Sequence, residues 1–191
     1  DLTYTDFTIG FDTALNTVIE AIDKIRDTST SHERVSIVEV MGRDCGDLAL
    51  YAGIAGGAEY IITPEKGFSR EELCKVILEG KQKGKIHNLI LLAEGVGGAQ
   101  ELAKYVEGVT GMETRATVLG HIQRGGSPSG TDRVLASRMG AKAVEVLLEG
   151  KTSRVIGIKN NEIIDQDIDE ALALDRTFDD ELFKMADEIS S

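Results

Sequence analysis

The chain has 191 residues, enough for one or two domains with real cores, and its 21 basic against 33 acidic residues leave a net charge of −12. That balance argues against nonspecific binding of DNA or RNA, which calls for a basic face, and no apolar run approaches the roughly 20 residues that a membrane span requires. Cys45 and Cys74 stand apart without CxxC spacing and the three histidines are scattered, so free thiols in a reducing cytoplasm are expected rather than a disulfide or a structural zinc. The start, Asp1 to Asp6, is acidic and polar, unlike a signal peptide, and without an initiating methionine the chain reads like the later part of a longer polypeptide.

From Gly10 to Thr28 the apolar residues Leu15, Val18, Ile19, Ile22 and Ile25 recur at helical spacing, and Arg26 falls at the carboxyl end, where the helix dipole favours a cation. Val35–Val40 is a β-branched strand that runs into Met41-Gly42-Arg43. A helix of small residues is expected from Gly46 to Ala55, and a short strand from Tyr60 to Thr63. Ser69 and Glu72 have the spacing of a capping box, and Leu73, Val76 and Ile77 predict an amphipathic helix behind it. Asn88–Ala93 is almost wholly apolar, the signature of a parallel strand covered on both faces, and ends in Glu94-Gly95. A helix over 100–109, a strand over 113–119 and a long helix over 131–148 follow. Short strands over 155–158 and 162–164 and a helical tail over 179–189 complete the order.

Such alternation predicts an α/β fold, a doubly wound and mostly parallel sheet with helices on both faces. In such sheets ligands gather outside the carboxyl ends of the strands. Three strands here end in polar, glycine-bearing segments: Met41-Gly42-Arg43, Glu94-Gly95, and Gly120-His121 through Arg124. Parallel strands bring those ends to one rim, where arginines suit a phosphate and Glu94 suits sugar hydroxyls. The opposite rim receives Lys83, Lys85 and His87 ahead of one strand and Gly57 and Glu59 ahead of another. With Arg26 they make a candidate second anion site, with Glu59 a candidate ligand for a divalent cation. The glycine-rich bend near 120–130 is the strongest punctuation in the chain and the expected place for a change of domain.

Three stretches together, Gly10-Phe-Asp-Thr-Ala14, Val38-Glu-Val-Met-Gly-Arg43 and Arg115-Ala-Thr-Val-Leu-Gly-His-Ile-Gln-Arg-Gly-Gly-Ser-Pro128, resemble bacterial 6-phosphofructokinases. The resemblance runs from Asp1 to about Ile158 and more weakly beyond. It implies a Rossmann-like phosphofructokinase fold, incomplete here. Residues 10–123 would be a sugar-phosphate and effector-binding domain, 1–9 and 124–172 segments returning to an ATP-binding domain, and 173–191 a carboxyl-terminal helix. It implies transfer of the ATP γ-phosphoryl group to the 1-hydroxyl of fructose 6-phosphate in the cytoplasm, with magnesium, by a homotetramer. By position, Met41, Gly42 and Arg43 resemble the sugar-phosphate loop, with Arg43 beside the reacting group. Glu94 resembles the ligand of sugar hydroxyls, and His121 and Arg124 the ligands of the 6-phosphate.

Arg34 and Arg115, at the other end of their strands, resemble arginines that reach into a neighbouring subunit's site. Arg26, Gly57, Glu59, Lys83, Lys85 and His87 resemble an effector site, where ADP activates and phosphoenolpyruvate inhibits, with Glu59 the candidate ligand for an effector-site magnesium. Lys83 stands where relatives often carry arginine and Ile86 where some carry lysine, so weakened effector binding is expected. Of the family's Thr-Ile-Asp-Asn-Asp segment, which holds the proton-accepting aspartate, only the last residue, Asp1, has a counterpart, and this chain alone is expected to be inactive. Two alternatives stay open: a pyrophosphate-dependent phosphofructokinase, and a non-catalytic module that binds a sugar phosphate.

Overall fold

The computed structural model describes residues 2–29, 34–85 and 87–190. Asp1 and Ile86, on which two of the expectations fall, lie outside the described residues. The elements follow in the order α1 (Phe11–Ser29), β1 (Arg34–Val40), α2 (Asp47–Gly56), β2 (Tyr60–Ile62), α3 (Arg70–Gln82), β3 (Asn88–Ala93), α4 (Ala99–Thr110), β4 (Glu113–Val118), α5 (Gly130–Leu148), β5 (Arg154–Lys159), β6 (Glu162–Asp167), α6 (Ile168–Leu172) and α7 (Asp180–Ser190). A 3-10 turn over Gly120–Gln123 follows β4. Among the described residues no helix is long and apolar enough to cross a membrane.

Contacts divide the chain into two units, Leu15–Arg124 with Phe178–Ser191, and Asp1–Ala14 with Gly125–Thr177. The first holds a four-stranded sheet in the order β2-β3-β1-β4. Its three pairings are parallel, with Val40 opposite Ala93 and Glu39 opposite Val118 at the carboxyl ends. Alternate residues of each strand face opposite ways. Val35, Ile37, Ile62, Ile90 and Leu92 pack with Leu73, Cys74 and Ile77 of α3 and with Leu102, Ala103 and Val106 of α4. On the other face α2 approaches closely because its glycines leave room, Gly53 lying against Ile61 and Gly56 against Ile22 of α1. Burial on both faces explains why β3 is apolar at nearly every position.

Ser69 caps α3, its hydroxyl accepting from the Glu72 N–H at 3.2 Å and donating to Glu71 at 2.8 Å. Val76, expected on the buried face of this helix, is 42% exposed. The inward position belongs to Cys74, which lies one residue from Leu73 and three from Ile77 and so completes the stripe that packs on the sheet. The carboxyl-terminal segment belongs to this unit through Lys66, whose Nζ pairs with Asp180 at 2.6 Å and lies over the rings of Phe178 and Phe183.

In the second unit β5 and β6 form an antiparallel hairpin, closed by Asn160 and Asn161, both with positive φ as a tight two-residue turn demands. Leu135 and Met139 of α5 pack on Ile158, Ile156 and Ile163 of the hairpin. The amino-terminal segment runs along β5, with Asp6 N–H donating to the Ile158 carbonyl at 2.8 Å and Ile158 N–H to Thr5 Oγ1 at 2.9 Å. Asp132, 2% exposed, ties the start of α1 to α5. Its carboxylate accepts from Gly10 N–H and Thr13 N–H, both at 2.8 Å, and from the Thr13 hydroxyl. Burial works to raise this carboxyl, but the bonds from Thr13, Gly10 and Ser129 outweigh it and hold it below the ordinary range.

Candidate functional site

Because β4, β1 and β3 run parallel, the segments that leave their carboxyl ends emerge side by side, and side chains then lock them together. One oxygen of Glu94, Oε1, accepts from Gly42 N–H at 3.0 Å and from Arg43 N–H at 2.6 Å. Gln123, 3% exposed, accepts from Met41 N–H at 3.2 Å and donates to the Gly120 carbonyl at 2.9 Å. Met41, Gly42, Arg43, Glu94, His121 and Arg124, read from the sequence as one rim, therefore stand on three cross-linked segments. His121 and Arg124 are exposed there, and Glu94 is half-buried, with Oε1 the oxygen that takes both amides.

Backbone detail makes the approach possible. Gly95 passes so close to Arg43 that a Cβ would collide with the Arg43 carbonyl, and a Cβ on Gly42 would collide with that of Cys45. Arg43 itself has φ +53, a left-handed conformation that costs a non-glycine residue about 1–3 kcal/mol and persists because Glu94 fixes its amide. Strain of this kind stands here next to two other polar strand ends. Two residues of this frame were missed by sequence reasoning. Gln123 reads as one more polar residue of the Gly-His-Ile-Gln-Arg run, and only burial shows that it faces inward. Glu65 accepts from Gly46 N–H at 2.9 Å, capping α2 from a loop 19 residues away, for which no local pattern exists.

The amino-terminal rim carries two separate groups. Beside β2 and β3, Arg26 Nη2 donates to the Gly57 carbonyl at 2.8 Å, and Glu59 Oε2 accepts from Leu89 N–H at 2.6 Å. A pocket of about 240 Å³ is lined by Gly57, Glu59 and Lys85 together with Ile54, Ile189 and Ser190. Lys85 Nζ donates to the Ser190 carbonyl at 3.1 Å. Lys83, the exposed residue that closes α3, and half-buried His87 are not on the wall of this pocket. His87 Nδ1 and Asn88 Nδ2 are buried side-chain atoms without a hydrogen-bond partner. Among the described residues no three His, Cys, Asp or Glu side chains converge as a metal cluster, at Glu59 or elsewhere.

The second group lies at the start of β1 and β4. Glu113 takes Arg34 Nε on Oε2 at 2.7 Å and Arg115 on Oε1, at 2.9 Å from Nε and 2.6 Å from Nη2. Hydrogen bonds from Arg34 and then Arg115 hold the Glu113 carboxyl below the ordinary range. Arg34 and Arg115 are thus neighbours, Arg34 at the first position of β1 and Arg115 at the third of β4.

A family model described as Phosphofructokinase matches residues 1–147. ATP-dependent 6-phosphofructokinases of Clostridium acetobutylicum and Clostridium botulinum are 74% and 72% identical over 100% and 97% of this chain, which spans about 60% and 58% of their length. Among solved structures, phosphofructokinase from Saccharomyces cerevisiae superposes with a TM-score of 0.84 at 40% identity, over 90% of this chain and 25% of that one. A pyrophosphate-dependent phosphofructokinase from Marinobacter aquaeolei superposes with a TM-score of 0.77 at 25% identity, over 93% of this chain and 51% of that one. The mostly parallel sheet with helices on both faces is shared with these neighbours. On the match of the family model to most of its length, the chain belongs to the phosphofructokinase family.

Proposed function

We propose that the polypeptide containing this sequence transfers the γ-phosphoryl group of ATP to the 1-hydroxyl of fructose 6-phosphate, and that this chain supplies the sugar-phosphate half of the site. The observation that carries the reading is the rim built by Glu94 and Gln123, which sets a carboxylate, an imidazole and two guanidiniums around three backbone segments. Arg124 and His121 hold the 6-phosphate by charge-assisted bonds. Glu94 Oε2 accepts from a sugar hydroxyl while Oε1 keeps the loop in place. Met41 and Gly42 wall the approach to the reacting hydroxyl, and Arg43 offsets charge on the group in transfer, the preorganised arrangement that phosphoryl transfer needs. Residues 10–123 form the sugar-phosphate and effector domain, while 1–9 and 124–172 lead to the part that binds ATP and carries the proton-accepting aspartate.

ATP rather than pyrophosphate is the donor, because the relatives at 72–74% identity are named ATP-dependent and the pyrophosphate-dependent structures match at 25% and 22%. Magnesium, brought with the nucleotide, neutralises phosphate charge. Arg26, Gly57, Glu59, Lys83, Lys85 and His87 form the effector site for ADP and phosphoenolpyruvate, with one Glu59 oxygen available to a cation held mainly by phosphates and water. Arg34 and Arg115 complete the sugar-phosphate site of a neighbouring subunit in a cytoplasmic homotetramer.

The test is Arg124→Ala in the full-length polypeptide. Loss of a charge-assisted contact worth roughly 1.5–3 kcal/mol should raise the half-saturating fructose 6-phosphate about 10- to 150-fold. An unchanged value removes Arg124 from the site, and faster turnover with pyrophosphate than with ATP reverses the donor.

A further inference from the structure

The two arginines at the amino-terminal rim come from strands whose starts are 79 residues apart, yet one carboxylate holds both. The register places Arg34 directly opposite Glu113 in the parallel β1–β4 pair. Arg115, two residues further along β4, returns to the same face. The three side chains form a row at the edge of the sheet, with 25%, 37% and 70% of the Arg34, Glu113 and Arg115 side chains exposed.

How the carboxylate grips them matters more than that it does. A guanidinium has five N–H donors in a planar fork. Glu113 engages Arg34 through Nε, and among the described residues no hydrogen bond takes up the two terminal nitrogens of that fork. It engages Arg115 through the Nε and Nη2 edge, and among the described residues no hydrogen bond takes up Nη1. Each arginine is held by its inner edge, with nitrogen atoms left over for a second acceptor. Two unbridged guanidiniums this close would repel, and each long side chain would keep its rotamer freedom until a ligand arrived. The bridge removes both costs before binding. The triad still carries a net positive charge, since two guanidiniums meet one carboxylate.

We infer that Glu113 is a positioning residue for the shared sugar-phosphate site: it presents Arg34 and Arg115 to the neighbouring subunit as one preassembled pair. This rests on the reading above, in which those arginines serve the neighbour's site. Glu113 itself touches no substrate. A carboxylate this near a phosphate also repels it, so the proposal fixes a direction: removing Glu113 weakens sugar-phosphate binding rather than tightening it. Its lone pairs are turned toward the arginines, and an arriving phosphate meets N–H groups instead.

The experiment uses the full-length enzyme and steady-state kinetics with fructose 6-phosphate for Arg115→Ala, Glu113→Gln, and Glu113→Gln added to the Arg34→Ala/Arg115→Ala pair. Glu113→Gln should raise the half-saturating concentration roughly 5-fold, the scale of one partly exposed charge pair, with a smaller fall in kcat. Glu113→Asp should restore part of the loss. In the background lacking both arginines Glu113→Gln should add nothing, because it acts only through them. A further rise there, of the same size, means a structural role and overturns the proposal. So does a tighter half-saturation in Glu113→Gln, which would make Glu113 a competitor of the phosphate. If Arg115→Ala itself leaves half-saturation untouched, the shared-site reading fails and takes the proposal with it. If Arg115→Ala raises half-saturation and Glu113→Gln does not, the positioning role alone falls.

Discussion

The two rims of the parallel sheet hold their polar residues by different means. At the carboxyl-terminal rim, side-chain acceptors take backbone amides: Glu94 those of Gly42 and Arg43, Gln123 that of Met41. The main chain is the thing being positioned, and His121 and Arg124 ride on it. At the amino-terminal rim the long side chains bond one another or stray carbonyls, as in Arg34–Glu113–Arg115, Arg26 with Gly57 and Lys85 with Ser190. A site that orients backbone is stiff and fails abruptly when one anchor goes. A site made of exposed side chains gives way in small steps, each worth little in water. The first suits a reacting centre and the second suits binding that has to be adjusted.

The steepest loss should therefore follow Glu94→Ala. It removes an acceptor from two amides and, in the proposed role, a partner from the sugar, and the left-handed Arg43 loses its tether. Two charge-assisted bonds at 1.5–3 kcal/mol each imply at least about a 100-fold fall in kcat/KM. Glu94→Gln keeps an acceptor without the charge and should fall less. Equal losses in the two variants would show that charge, and not loop support, is what Glu94 provides. Gly95→Ala comes next. Its Cβ meets the Arg43 carbonyl, which cannot rotate away as a side chain would, so the Met41–Arg43 loop must shift. Displacements of that size cost reacting geometry on the order of 10- to 100-fold in kcat. A wild-type rate in Gly95→Ala would mean that the rim tolerates movement and that the contrast between the rims is wrong.

The same contrast decides how much could be read from the sequence. Polar residues at the ends of three strands are legible because the period of two and the parallel pairing place them without any knowledge of packing. The cross-links are not, since nothing in Gly-His-Ile-Gln-Arg says that Gln123 turns inward while Ile122 is 67% exposed. Val76 misleads for the opposite reason: an apolar residue at helical spacing can still face water when the neighbour Cys74 fills the stripe. At the amino-terminal rim the sequence displays every charge but not its partner. Arg34 and Arg115 look alike as cations at strand starts, and only the β1–β4 register reveals that Glu113 joins them. The carboxyl-terminal helix is legible as a helix, but nothing local says that Ile189 and Ser190 stand on the wall of the pocket with Gly57, Glu59 and Lys85.

Lys85→Ala tests the weaker rim. Its ammonium lies on the pocket wall within hydrogen-bond reach of the Ser190 carbonyl, and a phosphate there would replace that neutral acceptor by a charged one. Removing it should raise the phosphoenolpyruvate concentration for half-inhibition roughly 5- to 10-fold, and should do so by a larger factor than it raises half-saturating fructose 6-phosphate. The reverse ordering would mean that the two rims have been given each other's roles.

The smallest effect concerns acid. Because Arg34 and then Arg115 hold the Glu113 carboxyl below its ordinary range, the folded protein binds this proton less readily than the unfolded chain does. Its contribution to stability is therefore fully present above about pH 4, the ordinary glutamate value, and is lost as pH falls through the lower folded value. Wild type and Glu113→Gln, compared by thermal unfolding, should differ slightly at neutral pH, with the gap flat between about pH 6 and pH 8 and closing only in acid. A gap that changed between pH 6 and pH 8 would place the titration elsewhere. The bridge between the arginines would then be a contact of the resting structure with no hold on the Glu113 proton, and the soft rim would be softer than its short distances suggest.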